Sequence, residues 1–181
     1  NDESKLFEKL FSLIFYDHPY GKESILGSVQ HLQSPSIKEM QNFYNKYYIP
    51  NNMAICLSGD LDIQNTITLI EKYWGNFIRK DSLVKNSFIK SGLKQKKDHV
   101  YGPASEKIFI GYRFKGANST DSLIICLVDM ILSNSLAGLI DINLNQSQKL
   151  LSGGSFTYIL KDHSIHVLTA RPKFGQTLEE I

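Results

Sequence analysis

The stretch Asp17-His18-Pro19-Tyr20-Gly21-Lys22 combines residue types that are common in active sites. A histidine beside a carboxylate can move protons or bind a metal, and the proline and glycine favour a rigid turn. The same hexapeptide can be purely structural, because a histidine that follows a helix end is favoured by the helix dipole. His18 stands alone in a proline turn, so the sequence favours the structural role.

A zinc hydrolase needs three protein ligands and one open coordination position. The histidines of the chain are His18, His31, His99, His163 and His166. No pair has the i,i+4 spacing of H-E-x-x-H or H-x-x-E-H, and none has the glutamate that those motifs require. His163 and His166 lie three apart on predicted strands, so they should point to opposite faces, and we expect both to be exposed near strand ends. The sequence therefore predicts no catalytic, cofactor-binding or metal-ligating residue in this chain.

Other catalytic signatures are also missing from the sequence. There is no G-x-S-x-G serine motif. The stretch LSGGSF around Gly153 and Gly154 lacks the Lys-Ser/Thr of a phosphate-binding loop and is predicted to be a turn before a strand. Cys56 and Cys126 both lie in apolar runs, which predicts small buried side chains rather than a disulfide or a metal pair.

Length and composition suit one large domain or two small ones. The 181 residues are 42% hydrophobic and 21% charged, enough to bury a core. A net charge of +2 gives no support for nucleic-acid binding. No apolar run reaches the roughly 18 residues of a membrane span. The start, NDESKLFEKL, lacks the basic region of a signal peptide and is typical of the interior of a longer protein.

The first part of the chain alternates helices and turns. Apolar residues at three- and four-residue spacing predict a helix over 3–16, followed by a loop over 22–35. Ser36 and Glu39 fit a capping box for a helix that runs to about Tyr47. The apolar run 53–57 predicts a strand covered on both faces, and residues 62–75 predict a helix capped by an aspartate and ended by a glycine.

Residues 79–98 are rich in lysine and arginine and are predicted to be a solvated linker, with a polyanion-binding patch as the alternative. Beyond them, alternating residues predict a strand over 106–114, and an apolar stretch predicts a well-buried helix over 118–134. A further helix is expected within 137–145. Two later strands are expected to form a hairpin at Lys161-Asp162, and Thr177 to Glu180 fits another capping box. Both ends of the sequence look internal.

Three segments resemble, in their order, the insulinase/pitrilysin family of zinc metallopeptidases: HPYGKESILGS, SPSIKEMQNFYNKYYIPNNMAICLSGDLD and LIEKYWGNF. In that family a helix ends in His-Pro-Tyr/Leu-Gly, a later helix ends in F-Y-x-x-x-Y-x-P-x-N-M, and a strand ends in Gly-Asp. The matching residues are Phe43, Tyr44, Tyr48, Pro50, Asn52, Met53, Gly59 and Asp60, followed by Tyr73-Trp74-Gly75 where the family has Tyr-Phe-Gly. The resemblance is specific over residues 6–77. Residues 105–181 are similar to the opening of the family's next homologous domain.

The resemblance implies that the chemistry lies elsewhere in a longer protein. Family members hold zinc with the two histidines of an H-x-x-E-H helix and a later glutamate, and the motif's own glutamate activates water. All four equivalents are expected upstream of Asn1. In the closing half of such enzymes, an Arg and a Tyr of an L-R-x-x-x-x-L-x-Y segment help to bind the substrate carbonyl. The corresponding segment here is placed at 144–152, where Asn145 and Ser152 take the Arg and Tyr places.

The expected fold is α+β, with two partial domains like those of mitochondrial processing peptidase and helices packed on mostly antiparallel sheets. The expected division is 1–78 for the second half of the first domain, 79–98 for the basic linker and 99–181 for the first part of the second domain.

The expected function is an internal, non-catalytic part of a zinc-dependent metalloendopeptidase that cleaves peptides in a clamshell chamber. The chain is expected to be inactive alone. Zinc is expected in the parent protein and not on this chain. Expected partners are a peptide substrate and the rest of the polypeptide or a homologous subunit. Nucleic acid and a membrane span are not expected, and an extracytoplasmic, periplasmic location fits the resemblance. The alternatives are a non-catalytic homologue acting as partner subunit or scaffold, and a binding module that uses the linker.

Overall fold

The structure is a computed structural model, and it describes residues 1–24, 26–78 and 96–181. The chain divides into two compact units, Asn1–Ile25 with Ile89–Ile181, and Leu26–Phe88. Among the described residues, five α-helices and a 3-10 turn precede the first strand: α1 (Asp2–Ile14), α2 (Pro19–Lys22), α3 (Val29–Gln33), α4 (Ile37–Tyr47), the turn Pro50–Asn52 and α5 (Ile63–Trp74). The remaining elements are β1 (Ile108–Lys115), α6 (Thr120–Leu132), a π-helix (Asp141–Gln146), β2 (Ser152–Ile159), β3 (His163–Arg171) and a 3-10 turn (Leu178–Glu180).

The first unit is built on a three-stranded antiparallel sheet with the strand order β1-β3-β2. His166 lies in the central strand, opposite Tyr112 of β1 and Thr157 of β2. β2 and β3 form the predicted hairpin around Lys161-Asp162, and Thr177 and Glu180 form the predicted capping box. The predicted α+β class and the predicted strands of this unit are confirmed.

Helix α1 covers one face of this sheet. Leu10, Ile14 and Phe15 are buried against Ile165 and Val167 of the central strand. Each such apolar side chain contributes roughly 1.5–3 kcal/mol when it is removed from water. The close approach of α1 depends on Gly111 in β1, because a Cβ atom there would collide with the side chain of Ile14. The apolar side of the predicted helix therefore packs against the sheet.

Helix α6 covers the opposite face, since its Asp129 contacts Ser155 of β2 and His166 of β3. The prediction that this helix is well buried is wrong for the described residues. Its outward apolar side chains are exposed: Leu123, Ile124, Leu127, Met130 and Ile131. A helix lying on a sheet turns only one side to it, so an all-round apolar sequence leaves the other side bare unless another element covers it.

The second unit contains α3, α4 and α5. Ser36 accepts a hydrogen bond from the amide of Glu39 at 3.3 Å, and Asp62 accepts one from the amide of Asn65 at 2.8 Å. These bonds cap α4 and α5 as the sequence predicts, and Gly75 ends α5. The predicted loop over 22–35 also contains a short helix, α3, which Ser28 caps through the amide of His31.

The predicted strand over 53–57 is not formed within the described residues. Met53, Ile55 and Leu57 are about half exposed, and Cys56 is exposed rather than buried. An extended segment becomes a strand only when a neighbour completes its hydrogen-bond ladder, and the described residues offer it none. Cys126 on α6 is half-buried. Most of the predicted basic linker, residues 79–95, lies outside the described residues.

Candidate functional site

The turn after α1 is built around His18. The imidazole Nδ1 accepts the amide N–H of Tyr20 at 3.2 Å, which makes His18 the N-cap of α2. Gly21 packs against the end of α1, where an added Cβ would lie 2.5 Å from the carbonyl oxygen of Phe15 and 2.7 Å from that of Phe11. His18 is buried. These contacts support the structural role that the sequence favours for this turn.

The turn contacts the tip of the β2–β3 hairpin. His18 Nε2 lies 3.6 Å from Asp162 Oδ2, and the Asp162 amide donates to the Tyr20 hydroxyl at 3.3 Å. The rings of His18 and His163 meet edge to face with centroids 5.2 Å apart. With Arg113 of β1, these residues form what we call the histidine corner: His18, Tyr20, Arg113, Asp162 and His163.

Arg113 attaches the corner to the end of α1. Its Nη1 donates to the carbonyl oxygen of Ile14 at 3.1 Å and lies 3.5 Å from Asp17 Oδ1. The last carbonyls of a helix have no partner within the helix, so a cation at this end is favourable. Arg113 was not predicted to matter, because a lone arginine in an alternating strand carries no signal of its distant partner.

His163 is buried, so the expectation of an exposed strand-end histidine is wrong. Burial, and the nearby Arg113 and His18, hold the pKa of His163 below its ordinary value. A hydrogen bond with the backbone of Phe114 and the charge of Asp162 oppose that shift only in part. His163 is therefore predominantly neutral at neutral pH.

His166 is also buried and faces α6, which confirms that the two β3 histidines point to opposite faces but again contradicts their expected exposure. Its Nε2 lies 3.1 Å from Asp129 Oδ1. Ser155 donates to the same oxygen at 2.6 Å. A serine nucleophile needs its hydroxyl on the imidazole. This serine bonds the carboxylate instead, so the three side chains fasten α6 to the sheet and do not form a nucleophilic triad.

The segment 144–152 holds the edge of β2 through Asn145. The side-chain oxygen of Asn145 accepts the Gly153 amide at 2.7 Å, and its Nδ2 donates to the Gly153 carbonyl at 2.8 Å. Asn145 lies in the π-helix, where the sequence predicts a helix, and Ser152 is exposed at the start of β2. Gly153 and Gly154 lie within β2, so their predicted assignment to a turn before the strand is wrong. Glycine suits position 153 because a Cβ there would crowd Leu150 at 3.2 Å.

No group of three His, Cys, Asp or Glu side chains capable of holding a metal occurs among residues 1–24, 26–78 and 96–181. The side chains in these ranges do not fit the zinc site of a hydrolase, which needs three ligands. In the same part of the chain, no helix combines the length and apolar character needed to cross a membrane.

Comparison with known proteins identifies related zinc proteases. The zinc protease PqqE of Helicobacter pylori is 22% identical over 171 residues, which are 91% of this chain and 38% of that protein. An uncharacterized zinc protease of Rickettsia felis is 27% identical over 103 residues, 52% of this chain and 25% of that protein. The chain thus spans less than two fifths of the length of either relative.

Solved structures share the fold. A protease from Helicobacter pylori superimposes with a TM-score of 0.69 and 19% identity, covering 94% of this chain and 43% of that one. The periplasmic protease PqqL from Escherichia coli gives a TM-score of 0.66 and 13% identity, covering 94% of this chain and 19% of that one. The ferredoxin protease FusC in complex with Arabidopsis ferredoxin gives a TM-score of 0.67 and 14% identity, covering 95% of this chain and 20% of that one.

A family described as the Peptidase M16 inactive domain matches residues 36–181, which is most of the chain. The match includes α4, α5 and the whole sheet with α6. It agrees with the Tyr-Trp-Gly helix end and the motif order found in the sequence, and the chain resembles a non-catalytic part of a zinc metalloprotease. The chain therefore belongs to the Peptidase M16 inactive domain family, and its resemblance to the insulinase/pitrilysin metallopeptidases is confirmed.

Proposed function

We propose that this chain is an internal, non-catalytic part of a zinc-dependent metalloendopeptidase that cleaves peptides in a clamshell chamber. The observation that carries the proposal is the family match over residues 36–181 to a domain described as inactive. The zinc proteases among its relatives are longer than this chain, which leaves room for the catalytic residues outside it.

In this proposal, residues 1–78 belong to the first peptidase domain, 79–98 form the linker and 99–181 open the second domain. The H-x-x-E-H helix and the later glutamate lie upstream of Asn1 and supply the zinc ligands and the general base. No step of hydrolysis is assigned to the residues of this chain. Its sheet and covering helices form part of the chamber wall and position the peptide.

The contacts of Asn145 support the proposal that segment 144–152 forms part of the chamber wall and does not activate the substrate. It stands at the place of the family's arginine, but its carboxamide is engaged with both backbone groups of Gly153. A neutral amide held in this way offers no positive charge to a substrate carbonyl. The segment 144–152 therefore shapes the sheet edge.

The proposed partners are a peptide substrate and the rest of the same polypeptide or a homologous subunit. The bare side of α6 supports the second partner, because contiguous exposed apolar surface in proteins usually marks an interaction site. Its members are half exposed or more: Leu123, Ile124, Leu127, Met130 and Ile131. The proposed location is extracytoplasmic, as for the periplasmic protease PqqL whose fold the chain shares.

Two measurements test the proposal. Calorimetric titration of the chain with zinc should give no tight stoichiometric site, and one site of sub-micromolar affinity would overturn the assignment of the ligands to an upstream segment. The polypeptide that extends upstream of Asn1 should contain H-x-x-E-H with a downstream glutamate and hydrolyse a quenched fluorescent peptide. If that motif is missing, the chain belongs to the alternative class, a non-catalytic partner subunit or scaffold.

A further inference from the structure

The histidine corner joins two parts of the first unit that lie about 140 residues apart in sequence. One side is the turn after α1, with His18 and Tyr20, and the other is the tip of the β2–β3 hairpin, with Asp162 and His163. We propose that this corner is a pH-sensitive clasp, which holds the α1–α2 turn on the hairpin at neutral pH and releases it in mild acid.

The first part of the clasp is the proton arrangement of His18. Its Nδ1 accepts the Tyr20 amide at 3.2 Å, so this nitrogen carries no proton when the turn is formed. The N-cap bond of α2 therefore depends on an unprotonated Nδ1. The tautomer that remains has its proton on Nε2, which faces Asp162.

The second part is the set of charges around His163. Arg113 of β1 lies near His163, and Lys115, also in β1, is paired with His163 in the sheet. Asp162 is the nearby acid on the hairpin, and Asp17 is drawn toward Arg113 at 3.5 Å.

On the α1 side, His163 contacts two rings. The Phe15 ring lies 5.8 Å away between centroids, and the His18 ring 5.2 Å away. A charged His163 would therefore meet the Arg113 guanidinium and the His18 imidazole, and the half-exposed carboxylate of Asp162 would oppose their effect only in part.

The direction of the pH effect follows from this environment. The pKa of His163 in the closed corner lies below its ordinary value of 6.5, chiefly because of burial. The released corner therefore binds a proton more readily than the closed one. The stability that neutral His163 gives to the clasp is complete above pH 6.5 and is lost as pH falls from there through the lowered pKa.

Proton linkage also bounds the size of the effect. One histidine can change the opening equilibrium by at most about tenfold per pH unit within its titration window. Opening need not unfold the unit, because Leu10 and Ile14 of α1 also pack against Ile165 and Val167 of the central strand. The expected response is therefore local to residues 16–22.

Hydrogen exchange of the chain at pH 7.5, 6.5 and 5.5, corrected for intrinsic exchange, tests the clasp. The reporters are the amides of His18 and Gly21, which donate to the carbonyls of Phe15 and His18 at 2.9 and 3.0 Å. Their protection should fall from pH 7.5 to 5.5, by at most about tenfold, while the amides of α5 in the second unit keep theirs. Unchanged protection at the corner, or an equal loss in α5, would overturn the proposal.

Variants separate the clasp from general acid sensitivity. His163→Phe keeps a planar ring without a titrating group and should retain most of the corner's protection at pH 5.5. His31→Phe, at an exposed histidine of the second unit, is the matched control and should behave like the unaltered chain. Equal loss in His163→Phe and the unaltered chain would count against the clasp.

An NMR titration of the unaltered chain gives an answer even if His163→Phe does not fold. The imidazole of His163 should titrate below its ordinary pKa of 6.5. A His163 pKa at or above 6.5 would refute the proposal.

Discussion

Phe15 is the residue on which we expect the first unit to depend most strongly. Its side chain is fully buried at the end of α1 and lies in the apolar cluster with Leu10, Ile14, Ile165 and Val167. Its ring also meets those of Tyr20 and His163, with centroid distances of 5.6 and 5.8 Å. Replacing it changes both the packing of α1 and the floor of the histidine corner.

We predict that Phe15→Ala lowers the free energy of unfolding by about 3–5 kcal/mol, the range for removing a buried aromatic side chain that leaves a cavity. Phe15→Leu retains much of the volume and should cost less, about 1.5 kcal/mol or below. The measurement is urea unfolding followed by far-UV circular dichroism, with the slope of the transition compared between variants.

Phe174→Ala is the matched control, because this phenylalanine of the same unit is fully exposed. Its effect should stay within about 0.5 kcal/mol. If Phe15→Ala were no more destabilising than Phe174→Ala, the packing of α1 on the sheet would be refuted. A large loss in Phe15→Ala with an equally large loss in Phe15→Leu would indicate that ring contacts, rather than volume, carry the stability.

Three further predictions concern single contacts. Gly21→Ala should destabilise the first unit by about 1–3 kcal/mol, because the new Cβ would lie 2.5 and 2.7 Å from the carbonyl oxygens of Phe15 and Phe11. Gly154→Ala should change the urea midpoint little, because the atom nearest to its Cβ would be the Ser133 hydroxyl oxygen at 3.6 Å. Asp129→Ala should cost about 1–3 kcal/mol by leaving buried polar partners unsatisfied, and Asp129→Asn should restore part of that loss in the same assay. The hydrogen bond from Lys107 holds the pKa of Glu3 below its ordinary value of 4.5, so this contact stabilises the fold above that pH and its contribution is lost as pH falls through the lowered pKa. In Lys107→Met, the NMR titration of Glu3 should move up toward the ordinary value, and an unchanged titration would argue against the contact.

Much of the helical structure was predictable because its signals are local. Ser36 and Asp62 each cap a helix through an amide three residues later. The hairpin at Lys161-Asp162 and the alternation in β1 follow in the same way from neighbouring residues. The family was predictable for a different reason, because its motifs keep their order along residues 6–77.

Burial and pairing were not predictable from the same signals. The run 53–57 is apolar enough for a covered strand, yet it remains half exposed because no described strand lies beside it. His163 carries a polar side chain at a strand end, yet it is buried because the turn after α1 lies over it. In both cases the deciding partner is a segment elsewhere in the chain, and sequence periodicity does not say which segment that is.

The sequence by itself determined the longer helices, the caps of α4 and α5, the strands of the hairpin, the α+β class and the family of this chain. These depend on hydrogen bonds and patterns within a few residues, or on a motif order that survives divergence. The tertiary structure alone decided that Arg113 reaches the end of α1, that Asp129 joins α6 to two strands, and that the hexapeptide at residues 17–22 rests on a hairpin about 140 residues away. Such contacts depend on how the backbone brings distant residues within a few ångströms, which no local pattern encodes.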